Sequence, residues 1–446
     1  MPTSPPLPRK FPADHYINRT PTNPTSSPFP PIHNMRFSFA FLPLLGLSLH
    51  IHAQALNATG LVSALQEAGL TSLASAAIRA NETKEGQELL NALVNGTQNY
   101  TVFAPNNAAF DAPAVNAVKD NAERLAAILS YHVLPGNFVN ATKSPSELDS
   151  ATFPYVTVGR TLLTNSTLVD LEGNKGQVLV WTRNDTSNSS IYFLNQNPEV
   201  TVLSSTLVGQ IFVSTISGVL VAPGPLDEVI KAANLTRLAG IVDMVKVPDF
   251  FRNGTNATIA QALQADSTHG FTLFAPDDAA LQAAGTALTS LVANQTALLA
   301  LLGNHYINGT SYYSPNLVGS SSSDQFVSAS GQTFTVSTNS SGTYVSSGSA
   351  SAKIIKSDVL VENGVIHVVD RVLVNLDRDE SKASSAYQSA TSVAAQPTTE
   401  TGPVGPTGTG TTAGGGGSGT SSSGTGSNGL MGWATVLGMF GWTMAV

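Results

Sequence analysis

The chain has 446 residues, 11% of them charged, a formal net charge of −8 and no cysteine. Its length allows two or three domains, each large enough to bury a core of its own. The missing cysteines exclude a disulfide framework, a thiolate metal site and a cysteine nucleophile, and the acidic balance lacks the basic footprint of a nucleic-acid partner.

Residues 1–34 are rich in Pro, Ser, Thr and Asn without apolar periodicity. They read as a disordered arm or as an extension ahead of a true start at Met35, and the second is preferred because a secretory signal sits at an N-terminus. Residues 35–55 supply that signal: Met35-Arg36, an apolar run, and the small-x-small site Ala53-Gln54-Ala55. Beyond the signal the chain repeats itself. LVSALQEAGLTSLASA from Leu61 aligns with LDEVIKAANLTRLAGI from Leu226, which sets Leu61, Leu65, Leu70 and Leu73 opposite Leu226, Ile230, Leu235 and Leu238. The spacing predicts an amphipathic helix broken near Gly69 or Asn234, then a second helical turn.

YTVFAPNNAAF (100–110) and FTLFAPDDAAL (271–281) come next. Each reads as a half-buried strand through Phe103 or Phe274, stopped by Pro105 or Pro276, with Asn106 or Asp277 capping a helix. ILSYHVLPG (128–136) aligns with LLGNHYING (301–309), and the closing SAKIIKSDVLVENGVIHVVDRVLV (351–374) predicts a hairpin turning at Glu362-Asn363-Gly364, with residues 200–221 as its counterpart. The first copy carries about twenty extra residues, assigned to surface turns between Gly173 and Asn195. Residues 377–428 form a Ser/Thr/Gly/Pro-rich stretch that reads as an O-glycosylated stalk without a core. The apolar end, 429–446, reads as the removed tail of a GPI-attachment signal, with the lipid placed near Ser421 to Gly424.

Four motifs repeated in one order resemble the fasciclin domain family over most of the chain between signal and stalk. The resemblance implies an α+β fold of two tandem domains, residues 56–222 and 223–376, each a β-wedge or sandwich flanked by helices. It also implies a role in cell adhesion or matrix association; secreted fungal, plant and bacterial members often carry a GPI anchor, and this chain is read as the fungal kind. In animal members a Tyr-His pair in the second motif is associated with integrin recognition, which makes Tyr131, His132 and His305 binding candidates, although the second copy has Asn304 where the pair needs tyrosine. A hydrogen-bonded core role is the preferred reading of both histidines. His367 and Asp370 could form a local polar pair; the first copy has Ser214 and Ser217 there.

Beyond the signal only His132, His269, His305 and His367 remain, none at metal-ligand spacing, and no nucleophile elbow or phosphate-cradling loop occurs. Asp277-Asp278 is assigned to helix capping. No cofactor and no enzyme activity are expected, with a surface hydrolase as the least favoured alternative. The glycosylation candidates are Asn81, Asn95, Asn140, Asn165, Asn184, Asn234, Asn253, Asn294, Asn308 and Asn339. The expected partners are a cell-wall or matrix component or another surface protein, with the outer membrane leaflet reached through the lipid. A structural wall glycoprotein without a specific ligand stands as the alternative.

Overall fold

The computed structural model describes residues 57–139, 147–184, 190–208, 210–248, 256–264, 269–285, 288, 291, 294–319, 326–396 and 400–405. The signal, the residues before it, the GPI tail and the sequons at Asn140 and Asn253 lie outside these.

The first copy opens with α1 (Ala58–Glu67), α2 (Thr71–Ala80) and α3 (Lys84–Val94). The break between α1 and α2 falls at Gly69, whose φ is +79°, and the matching break in the second copy is at Asn234 with φ +61°. Both residue types tolerate the left-handed backbone that stops one helix and aims the next. β1 (Tyr100–Pro105) follows, then a 3-10 turn (Asn107–Asp111), α4 (Pro113–Asn116) and α5 (Ala122–Tyr131). The remaining strands are β2 (Val133–Pro135), β3 (Thr157–Arg160), β4 (Val178–Arg183), β5 (Ile191–Phe193), β6 (Val200–Val208) and β7 (Ile211–Ile216). They form one sheet in the order β2-β1-β7-β6-β5-β4-β3, with β1 and β7 parallel.

The second copy repeats the plan. α6 (Leu226–Ala232) and α7 (Thr236–Met244) lead into a short ribbon of β8 (Lys246–Pro248) and β9 (Asn256–Thr258), then α8 (Ile259–Leu263). β10 (Phe271–Pro276), α9 (Asp278–Ala283), α10 (Gln295–Gly303), β11 (Tyr306–Asn308) and α11 (Ser314–Gly319) follow. β12 (Phe334–Asn339), β13 (Gly342–Ser347), β14 (Ala350–Val361) and β15 (Gly364–Val369) complete a sheet ordered β11-β10-β15-β14-β13-β12. Val361 pairs with Gly364, so the hairpin turns where the sequence places it.

Each sheet folds over on itself. Four strand spacings in a flat sheet would hold β1 and β4 about 19 Å apart. Yet the rings of Phe103 and Trp181 meet edge-on at 5.5 Å, and in the second copy Phe274 and Phe334 meet at 5.0 Å. This wedge encloses one core, and the helices close another on the opposite face: Tyr100 and Ala104 point to the helical side and Phe103 to the wedge side. The two FAP strands are therefore buried on both faces, rather than half-buried as their composition implies, because helices cover one side and the sheet's own far strands the other.

Two further departures from the sequence expectations concern the seam and the stalk. The strand of the first sheet that has no counterpart in the second, among the described residues, is β3 (Thr157–Arg160), which lies ahead of the stretch 173–195 to which the extra residues are assigned as surface turns. Within that stretch Gly173, Asn174 and Asn184 are exposed, while Gln177 and all of β4 are buried. The stalk does not begin at 377. Residues Glu380–Ala394 form α12, which starts at an Asp379 cap and fully buries none of its side chains.

Candidate functional site: histidine locks and the interdomain seam

The two motif histidines sit in the same setting. His132 follows α5, 1% exposed; its Nδ1 lies 2.7 Å from the Ile128 carbonyl and its Nε2 accepts the Leu220 N–H at 2.9 Å. His305 follows α10, 6% exposed, with Leu301 O at 2.8 Å and Leu373 N at 2.9 Å. A backbone N–H can only donate, so Nε2 must be bare and Nδ1 carries the proton. Burial pushes both imidazoles down to about 4, against the opposing pull of the helix carbonyls. Each ring thus locks a helix end to the chain leaving its sheet.

Tyr131 is also internal, donating its hydroxyl to Val178 O at 3.0 Å, and burial holds its phenol well above the usual range. Its counterpart Asn304 reaches the carbonyls of Asn375 and Asp377, each at 3.0 Å. The substitution that breaks the Tyr-His pair therefore keeps a tether and changes what is tethered. As candidates for surface contact, Tyr131, His132 and His305 are corrected by their burial: their polar atoms are consumed inside.

The FAP motifs behave as punctuation. After Pro105 and Pro276, Asn106 accepts from Ala109 N and Asp277 from Ala280 N; the first caps a 3-10 turn where an α-helix is expected, the second caps α9. The next residue, Asn107 or Asp278, pins the helix pair; from sequence Asn107 goes unremarked and Asp278 is assigned to capping. Asn107 accepts from Ser72 N and donates to Gly69 O, while Asp278 accepts from Arg237 N and from the Thr236 hydroxyl. Those two bonds hold the Asp278 carboxyl below the usual range. His367 and Asp370 do not pair. His367 Nε2 bonds Tyr312 O and its Nδ1 faces Asp358 N, whereas Asp370 accepts from Lys353 N.

The seam between the copies is made by the extra strand. Val158, Val178 and Val180 of β3 and β4 turn their outer face onto Tyr313, Leu360 and Val365 of the second copy. Polar tethers frame this patch: Gln177 Nε2 to Val361 O at 3.0 Å, Asn195 Nδ2 to Asp358 O at 2.8 Å, Asp170 N to Glu362 O at 2.9 Å, and the Ser311 hydroxyl to Glu172 at 3.0 Å. His269 meets Asp170 at 2.5 Å across the same line.

A strap completes it. Past α12, Val404 N donates to Val158 O at 2.8 Å and Glu400 binds the Arg160 guanidinium at 3.0 Å, the guanidinium lying 5.8 Å over the Tyr313 ring. Backbone passes so close to Gly136 (φ +100°) that a Cβ there would stand 1.9 Å from Thr401 O. Arg160 and Glu400 are 240 residues apart in sequence, so no local pattern could have paired them.

Of the glycosylation candidates, Asn81, Asn95, Asn184, Asn234, Asn294 and Asn339 are exposed, and Asn165 and Asn308 half-buried. Among the described residues no cluster of His, Asp and Glu has the arrangement of a metal site, and no helix is long and apolar enough to cross a membrane.

The sequence profile described as "Fasciclin domain" matches residues 48–197 and 246–375. The chain belongs to this family and carries two fasciclin domains in tandem. Among its relatives is a fasciclin-like arabinogalactan protein of Arthroderma benhamiae, 26% identical over 72% of this chain and 69% of the relative. The cell surface glycolipoprotein MPB83 of Mycobacterium bovis is 46% identical over 59 residues, which is 13% of this chain and 24% of that protein. A solved FAS1 domain pair from the insect cell adhesion molecule fasciclin I aligns over 69% of this chain and 98% of its own, at 18% identity and a TM-score of 0.31.

Proposed function

We propose that this is a surface-displayed binding protein that presents two fasciclin domains, joined along one seam, to a cell-wall or matrix component or to a protein on a neighbouring cell. A GPI lipid in the outer leaflet and a glycosylated stalk would carry the pair. One observation supports binding over chemistry: the motif residues that could do chemistry, His132, His305, His367 and Asp278, spend their polar atoms on backbone or neighbouring side chains. What the pair offers a partner is its outer surface. Joined domains lose no linker entropy when both engage, which favours avidity over single contacts. The arabinogalactan-type and surface relatives are in keeping with a wall or surface location.

The test is a titration of the full-length protein against wall polysaccharides and intact cells. Saturable binding that survives deglycosylation is the expected result, and its absence removes the reading. Phospholipase treatment of expressing cells should release the protein if the lipid anchor is right. The exposed sequons favour a second reading, a glycan-bearing structural protein; it prevails if enzymatic deglycosylation alone abolishes the protein's effect on the wall.

A further inference from the structure

The two copies differ most where the helices meet the sheet. In the first copy the space between α2, α3, α5 and β1 is closed by a continuous core that includes Leu89, Leu90, Leu125 and Ala126. In the second, the eleven-residue α3 is replaced by the five-residue α8, and a cavity of 270 Å³ remains, walled by side chains such as Val242, Leu263, Leu273 and Leu302. Protein interiors hold few voids larger than a water molecule, and an apolar void forfeits the dispersion contacts of its lining.

The helix beside the cavity is apolar on every side. α10 reads QTALLALLG: Leu298, Leu299, Leu301 and Leu302 all line the cavity, Leu298 and Leu301 buried, Leu299 and Leu302 half-buried. Its counterpart α5 keeps an amphipathic pattern and has Ala126 where α10 has Leu299. A helix apolar all round requires apolar cover on both faces.

The lining also has a polar part. Asn308, Ser330 and Arg378 contribute to it, and the residue after Arg378 is tied to Ser330 by the bond from Asp379 N to Ser330 O, 2.8 Å. Among the described residues of the lining, Arg378 is the one Lys or Arg. It is 33% exposed, and its partner, Glu380 at 3.1 Å, is 81% exposed. Such a surface pair is weak and its guanidinium is available to a better-placed anion. A mostly apolar cavity with a few placed polar groups is the usual form of a small-molecule site.

We propose that the second domain binds a single-chain fatty carboxylate, its chain along Leu299 and Leu302 and its carboxylate on Arg378. Guanidinium matches a carboxylate with two parallel N–H···O bonds, which a fatty alcohol cannot accept in the same way.

The test is calorimetric titration of the delipidated full-length protein with dodecanoate and with 1-dodecanol, both below the concentrations at which they aggregate. One-to-one binding of dodecanoate, at least ten-fold tighter than the alcohol, is expected. Arg378→Gln should erase the difference between acid and alcohol, and Leu299→Phe should weaken both at least ten-fold. No saturable binding overturns the proposal, as does binding indifferent to both substitutions. If Leu299→Phe fails to fold, as its circular dichroism will show, the surface substitution decides alone: an acid preference that persists in Arg378→Gln overturns the assignment.

Discussion

An imidazole that accepts one backbone N–H and donates to the carbonyl of the preceding helical turn has one workable charge state, and it is neutral. Protonating His132 or His305 would set an N–H against the N–H of Leu220 or Leu373. Both folded values, about 4, lie below the unfolded 6.5, so the unfolded chain takes up more protons between those limits. Stability is therefore full above pH 6.5 and falls as pH drops towards 4, by at most about 3 kcal/mol for each ring at 1.36 kcal/mol per pKa unit. Melting temperature measured across pH 4–8 should show a plateau above pH 7 and a decline below 6.5, and His132→Gln should lower the plateau while shallowing the slope. His367, lowered chiefly by burial, adds in the same direction. The aromatic corner is a second residue-scale determinant. Phe103 and Phe274 are fully buried, so Ala at either should cost about 3–5 kcal/mol in chemical denaturation.

At the scale of elements, α12 and the strap show how a helix with only a half-buried face, Ala383, Ala386, Tyr387 and Ala390, can still be held. The helix fully buries no side chain, but Tyr387 and Ala390 are half-buried over Gly309, and its start is tied by Asp379 N to Ser330 O and by Lys382 Nζ to Thr333 at 2.6 Å, with the strap beyond. Close backbone approach is what Gly136 permits. Gly136→Val places a side chain where Thr401 O now lies, and its φ of +100° is strained for any β-branched residue. The expected outcome is faster proteolytic cleavage within residues 377–405, read by mass spectrometry. Glu400→Gln should act in the same direction, since it leaves the buried Arg160 guanidinium facing a neutral acceptor in place of a carboxylate.

At the scale of the whole molecule, the seam decides whether the two domains unfold together. Val158 and Val180 are buried between them, with Gln177 and Asn195 as tethers. Val180→Asp would bury an unpaired carboxylate against Tyr313 and Leu360, a large cost relative to the small net stability of a domain. Calorimetry of that variant should resolve two transitions where the parent protein shows one. A variant that keeps a single transition, shifted down, would mean that the charge is felt in the first domain's fold rather than at the seam.

The repeat, its helix breaks, the FAP strands and the closing hairpin were all readable along the chain, because each is a local pattern of apolar spacing and turn chemistry. The preferred core role of His132 and His305 was legible too, from an imidazole kept at one place in two apolar runs. Other features were not: the second buried face of β1 and β10, the seam that β3 and β4 form with the second copy, and the strap's Glu400 meeting Arg160. Local periodicity records which side of an element avoids water. It carries no information on which distant element covers that side, since that depends on a sheet folding over and on two copies meeting. Amino-acid order alone therefore determined two similar domains, and tertiary packing alone decided that they are joined and what joins them.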